Sequence, residues 1–183
     1  MQAATQRPWL LRGTVLALAI VVGAVAWIVS GDGEQDGEAT PVAAEARIVE
    51  AGQLADAAAT LGHPVYWAGP IEGSELELTE AEDGSTQVRY LEDPGEAGAE
   101  SSSVLTIGSY PLPDPAAALD AFAAEPGSVV KRAANGAEVL FSESNPSSVY
   151  FVAPDNSVQV EVYHPQPQRA LDLALAGDVR PAS

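Results

Sequence analysis

Residues 75–91, ELELTEAEDGSTQVRYL, decide the fold. In the first half Leu76 and Leu78 alternate with Glu75 and Glu77; in the second Val88 and Tyr90 alternate with Gln87 and Arg89. A period of two sends successive side chains to opposite faces, so the spacing predicts two half-buried strands, over 75–80 and 86–91. Glu82-Asp83-Gly84-Ser85 joins them. Asp-Gly tolerates the positive φ of a tight hairpin turn, so the two strands are expected to pair antiparallel.

The same reading extends outward. Val65-Tyr66-Trp67 forms a short aromatic strand before the hairpin, and an acidic, Gly- and Ser-rich loop over 92–103 leads into a strand over 104–110. Four more strands are expected at 128–132, 137–142, 148–153 and 158–163, with Asn135-Gly136 as a second hairpin signal. In the last of these, Val158, Val160 and Val162 against Gln159, Glu161 and Tyr163 is the cleanest alternation in the chain.

Three helices separate these runs. The first is predicted over 47–61, with Leu54, Ala58 and Leu61 on one face, Gly62 at its C-cap and Pro64 beyond; Gly52 weakens its first half. Asp114-Pro115 starts the second as N-cap and N1, Leu119, Phe122 and Ala123 give its apolar stripe, and Pro126-Gly127 ends it. The third, over 167–176, buries Ala170, Leu171, Ala174 and Leu175 and stops at Gly177. The order α-β4-α-β4-α predicts an α+β domain over 47–180, a mainly antiparallel twisted sheet with helices packed on one face. That order invites a duplicated helix-plus-four-strand unit, but the pairs His63-Pro64 and His164-Pro165 fall at opposite ends of the two units and give it no support.

Residues 13–30, GTVLALAIVVGAVAWIVS, carry no charge. As a helix they span about 27 Å, close to the hydrocarbon thickness of a bilayer. Trp9 and Trp27 sit near the ends, Arg7 and Arg12 precede the run, and Asp32, Glu34, Asp36 and Glu38 follow it. The positive-inside rule then gives a cytoplasmic tail (1–12), a transmembrane signal anchor (13–30), an acidic flexible linker (31–46) and an extracytoplasmic domain at the plasma membrane. The competing expectation is secretion after cleavage near Ala26, since Ala24-Val25-Ala26 has the small residues a signal peptidase needs. The apolar run continues through Trp27, Ile28 and Val29, which favours retention. About twelve residues inside are too few to fold, so an inward signal requires a membrane partner.

Composition narrows the function classes. The chain of 183 residues has 26 Asp and Glu against 8 Lys and Arg, a formal net charge of −18. That sign repels nucleic acid and anionic lipid headgroups and attracts cations or basic partners. Cysteine is absent, which removes disulfides, thiolate metal sites and thiol nucleophiles together.

No catalytic, cofactor or metal residue is assigned. His63 and His164 each precede a proline at an element boundary, and no serine sits in a G-x-S-x-G elbow, so both read as turn residues. Glu75, Glu77, Glu80, Glu82 and Asp83 cluster, but Glu75 and Glu77 fall on the polar face of a strand and read as solvated. Asp32, Glu34, Asp36 and Gly37 match the first positions of a calcium loop, yet Ala43 stands where its bidentate glutamate belongs. Phosphate-binding glycine motifs are absent. The aromatics Tyr66, Trp67, Tyr90, Tyr110, Phe122, Phe141, Tyr150, Phe151 and Tyr163 are expected mainly in the core, with some lining a pocket.

Leu61-Gly62-His63-Pro64-Val65-Tyr66-Trp67-Ala68-Gly69-Pro70, then Leu76-Glu77-Leu78-Thr79, Val88-Arg89-Tyr90-Leu91 and Leu105-Thr106-Ile107-Gly108-Ser109-Tyr110-Pro111, resembles a pattern in membrane-anchored extracytoplasmic proteins of high-GC actinobacteria. The likeness covers roughly residues 61–113. That family has no assigned activity, so the resemblance implies an anchored bacterial envelope protein and carries over no site residue. The function expected is a non-enzymatic domain that binds a protein or small ligand at the envelope. The alternatives are a carboxylate-dependent hydrolase, around residues 75–83 or near His164, and a structural or assembly component.

Overall fold

The computed structural model describes residues 45–92, 97–98 and 103–183. In chain order these form β1 (Glu45–Val49), α1 (Ala51–Leu61), β2 (Tyr66–Trp67), β3 (Ser74–Glu80), β4 (Thr86–Glu92), β5 (Thr106–Tyr110), α2 (Pro115–Ala123), β6 (Ser128–Arg132), β7 (Glu138–Ser142), β8 (Asn145–Val152), β9 (Gln159–Tyr163), α3 (Pro167–Ala176) and β10 (Arg180–Pro181). Eight strands make one antiparallel sheet in the order β1-β3-β4-β5-β9-β8-β7-β6. The chain meanders inward from β3 to β5, crosses along α2 to the far edge, and meanders back from β6 to β9, which closes against β5.

Residues directly opposite in antiparallel strands share a face. One face therefore runs Leu78, Val88, Ile107, Val162, Val149, Phe141 across the sheet. It packs with Leu54 and Ala57 of α1 and with Ala170, Leu171 and Ala174 of α3 to form the main core. Leu54, Leu78, Ile107, Val149 and Val162 are wholly excluded from solvent. The small sheet β2-β10 lies on this same side: Tyr66 meets Phe151 edge-on at 5.9 Å, and its amide donates to Ser109 Oγ at 2.9 Å.

The order α-β4-α-β4-α is overturned. A strand precedes the first helix and another follows the last, giving β-α-β4-α-β4-α-β, a large antiparallel sheet with three short helices. Residues 47–49 were expected to be helical, and instead belong to β1, paired along β3 with Val49 opposite Leu76. Two physical reasons favour the strand. Ile48 and Val49 are β-branched, and β3 would otherwise present an unpaired edge. The helix starts only at Ala51, where the Gln53 amide donates to the Glu50 carbonyl and the Gln53 side chain accepts from the Glu50 amide. β1 thus takes in Glu45 and Ala46, two residues of the expected linker.

Helices on one face are overturned too. α2 lies on the opposite face, with Phe122 edge-on to Tyr150 at 5.5 Å and Phe122 carbonyl accepting from Ser128 Oγ. Its path explains this: it must carry the chain from β5 in the middle to β6 at the edge, across β9, β8 and β7. A two-fold axis relating antiparallel β5 and β9 is normal to the sheet and preserves its faces. Because α1 and α2 lie on opposite faces, they are not counterparts in a duplication. The apolar stretch 13–30 and the calcium-loop fragment lie outside the described residues; among those described, no helix is long and apolar enough to cross a membrane.

Candidate functional site

The α2 face of the sheet is built from the residues that alternate with the core set. Its central rows run Glu77, Arg89, Thr106, Tyr163, Ser148 and Thr79, Gln87, Gly108, Glu161, Tyr150, Leu140. Two carboxylates here are removed from solvent. Glu77, fully buried, takes Arg89 Nη1 at 2.6 Å on one oxygen and the Gly98 amide at 2.6 Å on the other. Glu161, 7% exposed, accepts from Tyr110 Oη at 2.9 Å on Oε2 and from Tyr150 Oη at 3.1 Å on Oε1.

Burial, and then the Glu161 charge, push the hydroxyls of Tyr110 and Tyr150 well above the ordinary phenol range. Burial likewise pushes Tyr90 up to about 12, although the Ala68 backbone hydrogen bond and the Arg180 charge act to lower it. A group whose pKa is raised in the folded state contributes stability below its unfolded value, near 10, and loses it as pH climbs toward the folded value. Urea midpoints are therefore expected to hold to about pH 9.5 and fall steadily from pH 10 to 12. Tyr110→Phe should flatten that fall by removing one titrating phenol.

The second feature is a cleft of about 400 Å³ along the flank of α2. Ala116, Leu119 and Asp120 of α2 form one wall. Val152 and Pro154 form the other, and Asn135, Ala137 and Glu138 close the end at the β6–β7 turn. Each wall is held rigidly. Asp114 Oδ1 caps α2 by accepting from the Ala117 amide, and Asn156 Oδ1 accepts from the Ala116 amide, both at 3.1 Å. Asn135 Oδ1 accepts from the Ala137 amide at 3.0 Å, and the Ala134 amide donates to the Leu175 carbonyl at the end of α3. Arg132 donates to the Gly136 carbonyl at 2.9 Å and pairs with Glu138 at 3.1 Å.

The carboxylates of the first hairpin do not converge. Glu75 is exposed, Glu77 is buried against Arg89, Glu80 pairs with Arg47, and Asp83 Oδ1 accepts from the Ser85 amide inside the turn. The histidines sit at opposite ends of the central strands. His63 Nε2 donates to the Gly84 carbonyl at 2.9 Å, beside Pro111 just past β5. His164 follows β9, whose last residue pairs with Thr106 at the start of β5, and its Nδ1 accepts from the Gln166 amide at 2.9 Å.

Of the aromatics, Tyr66, Tyr90 and Phe151 are in the main core, while Tyr110 and Tyr150 serve Glu161 on the other face. Sequence reasoning missed the burial of Glu77 and Glu161, and it missed the cleft. Asn135 and Asp120 were visible only as a turn residue and a helix residue.

Comparison with protein-family models, curated proteins and solved structures returns no match to this chain.

Proposed function

We propose that the chain is a membrane-anchored binding module of the bacterial envelope, and that the cleft beside α2 takes a small ligand. The cleft carries this reading. Its volume falls within the range of about 300–1,000 Å³ typical of ligand sites, and mostly apolar walls with a few polar groups are the usual composition of such sites. The anchoring half of the proposal rests on residues 13–30, on the arginines before them and on the acidic run after them. A net charge of −18 keeps nucleic acid outside the set of partners.

A fragment panel of cationic, anionic and neutral small molecules, observed by ligand-detected NMR on the full-length chain in mild detergent, tests the site. Ala116 is exposed on α2, so Ala116→Trp is expected to fill the cleft mouth without disturbing the fold. At least one fragment should bind the wild-type chain and lose its signal with Ala116→Trp. Fragments that bind both proteins equally, or a panel in which none binds, would reject the cleft as a ligand site.

A further inference from the structure

The large sheet ends on β6, and among the described residues no strand pairs with its outer edge. We infer that this edge is a contact between two copies of the chain, joined antiparallel about a two-fold axis at Val130. Hydrogen-bond alternation sets which groups are available. The Ala133 amide donates to the Ala137 carbonyl and the Gly127 carbonyl accepts from the Glu143 amide, so Val129 and Lys131 between them also bond inward to β7. Ser128, Val130 and Arg132 therefore turn their backbone groups outward. The Ser128 amide is taken by the Glu125 carbonyl, which leaves the Ser128 carbonyl and both groups of Val130 and Arg132. Among the described residues Val130 is also the most exposed large apolar side chain, at 47%.

Sheet edges are ordinarily protected by charged side chains that stand across them. The two cations of β6 are drawn the other way. Lys131 Nζ lies 5.7 Å from the centre of the Phe141 ring on β7. Arg132 donates to the Gly136 carbonyl at 2.9 Å and pairs with Glu138 of β7 at 3.1 Å. The edge is left clear, and a second copy fits it in one register. With Val130 opposite its counterpart, the two residues exchange both backbone hydrogen bonds, and each Arg132 amide donates to the Ser128 carbonyl across from it. Lys131 then falls opposite Val129 and Arg132 opposite Ser128, so no cation faces a cation and the exposed valines meet on the axis.

The other edge lacks this property. The Ala81 amide donates to the Ser85 carbonyl, so Glu77 and Thr79 bond to β4, and Leu76, Leu78 and Glu80 bond to Val49, Arg47 and Glu45 of β1. Ala46 and Ile48 point outward, and the register that uses both sets Arg47 directly against its own copy. A charge of −18 on each chain opposes association. At a Debye length of about 8 Å, however, the charges that matter are those near the contact, where Lys131 and Arg132 stand beside Glu138.

The chain has no cysteine, so Val130→Cys introduces the only thiol. On the axis its Cα lies about 5.5 Å from its counterpart, inside the span of about 4.4–6.8 Å that a disulfide bridges. With oxidised glutathione, the full-length chain in mild detergent should link through Val130→Cys at least about tenfold faster than through Ile48→Cys or Lys131→Cys. Ile48 is the matching exposed position on β1, and Lys131 is displaced along the strand from its counterpart. Val130→Pro removes the outward amide hydrogen alone, a change that an edge strand tolerates. Sedimentation of the cysteine-free chain should show a concentration-dependent dimer that Val130→Pro abolishes while the melting temperature holds. Val130→Cys linking no faster than the other two positions overturns the inference. So does a dimer that survives Val130→Pro, or a chain that stays monomeric at every concentration.

Discussion

Replacing Glu77 by alanine is expected to lower the unfolding free energy by about 3–5 kcal/mol, measured by urea denaturation at pH 7, because it removes one partner of a buried ion pair. Glu77 has no solvent exposure and the Arg89 side chain has 13%. Removing the carboxylate also strips the acceptor from the Gly98 amide, a contact between residues 97–98 and the sheet. Buried pairs are stabilising mainly relative to their broken halves, so the double change Glu77→Met with Arg89→Met should recover part of the loss, with the Gly98 amide still lacking its acceptor. Arg47–Glu80 supplies the contrast on the same strand, with side chains 43% and 31% exposed. Glu80→Ala should change stability by less than about 1 kcal/mol, and that small effect should shrink further in 1 M salt, whereas the Glu77 effect should persist. A loss at Glu77 no larger than that at Glu80 would mean that the carboxylate is solvated.

How much of this was legible in the sequence divides along a physical line. Signals that act within one or two elements were readable. Asp83-Gly84 places Gly84 at φ 82°, as a tight turn demands, and β3 and β4 pair on either side of it. Gly136 at φ 89° does the same between β6 and β7. Asp114-Pro115 starts α2, and Gly177 at φ 78° ends α3. Alternation also sorted Leu76, Leu78, Val88, Val160 and Val162 correctly onto the core face.

What failed depended on partners distant in the chain. Residues 45–49 are a strand because β3 offers them an edge, and nothing within EARIV announces that edge. Glu77 and Glu161 alternate as solvated residues should, but their face is covered by α2 on one side and by Gly98 on the other. Period-2 reasoning tells which residues share a face and cannot tell what covers it. The cleft was illegible for the same reason, since its walls come from α2, the β6–β7 turn and the end of β8. The orphan Gln159 is the sharpest case. In VQVEVY it stands at an ordinary polar position, and only the packed structure shows it 1% exposed with an unmatched oxygen.

Gly108→Ala should be nearly as damaging as losing Glu77, at about 3–5 kcal/mol from overpacking together with a lost hydrogen bond to a buried charge. Gly108 stands directly opposite Glu161, and the ring of Tyr110, two residues along the same strand, folds back across it to reach the carboxylate. A methyl group at Gly108 would lie 2.5 Å from the phenol oxygen and 2.6 Å from two ring carbons. The ring must therefore swing away, and Glu161 is left with Tyr150 as its remaining phenol donor. Tyr110→Phe removes the hydrogen bond and keeps the ring, so its expected loss is smaller, about 1.5–3 kcal/mol. The decisive comparison is Gly108→Ala in a Tyr110→Ala background. With no ring to displace, alanine is better suited to a strand than glycine, and the second change should be neutral or mildly stabilising. If Gly108→Ala costs the same in both backgrounds, the glycine serves the backbone of β5 itself, and Tyr110 does not reach Glu161 through the space it leaves.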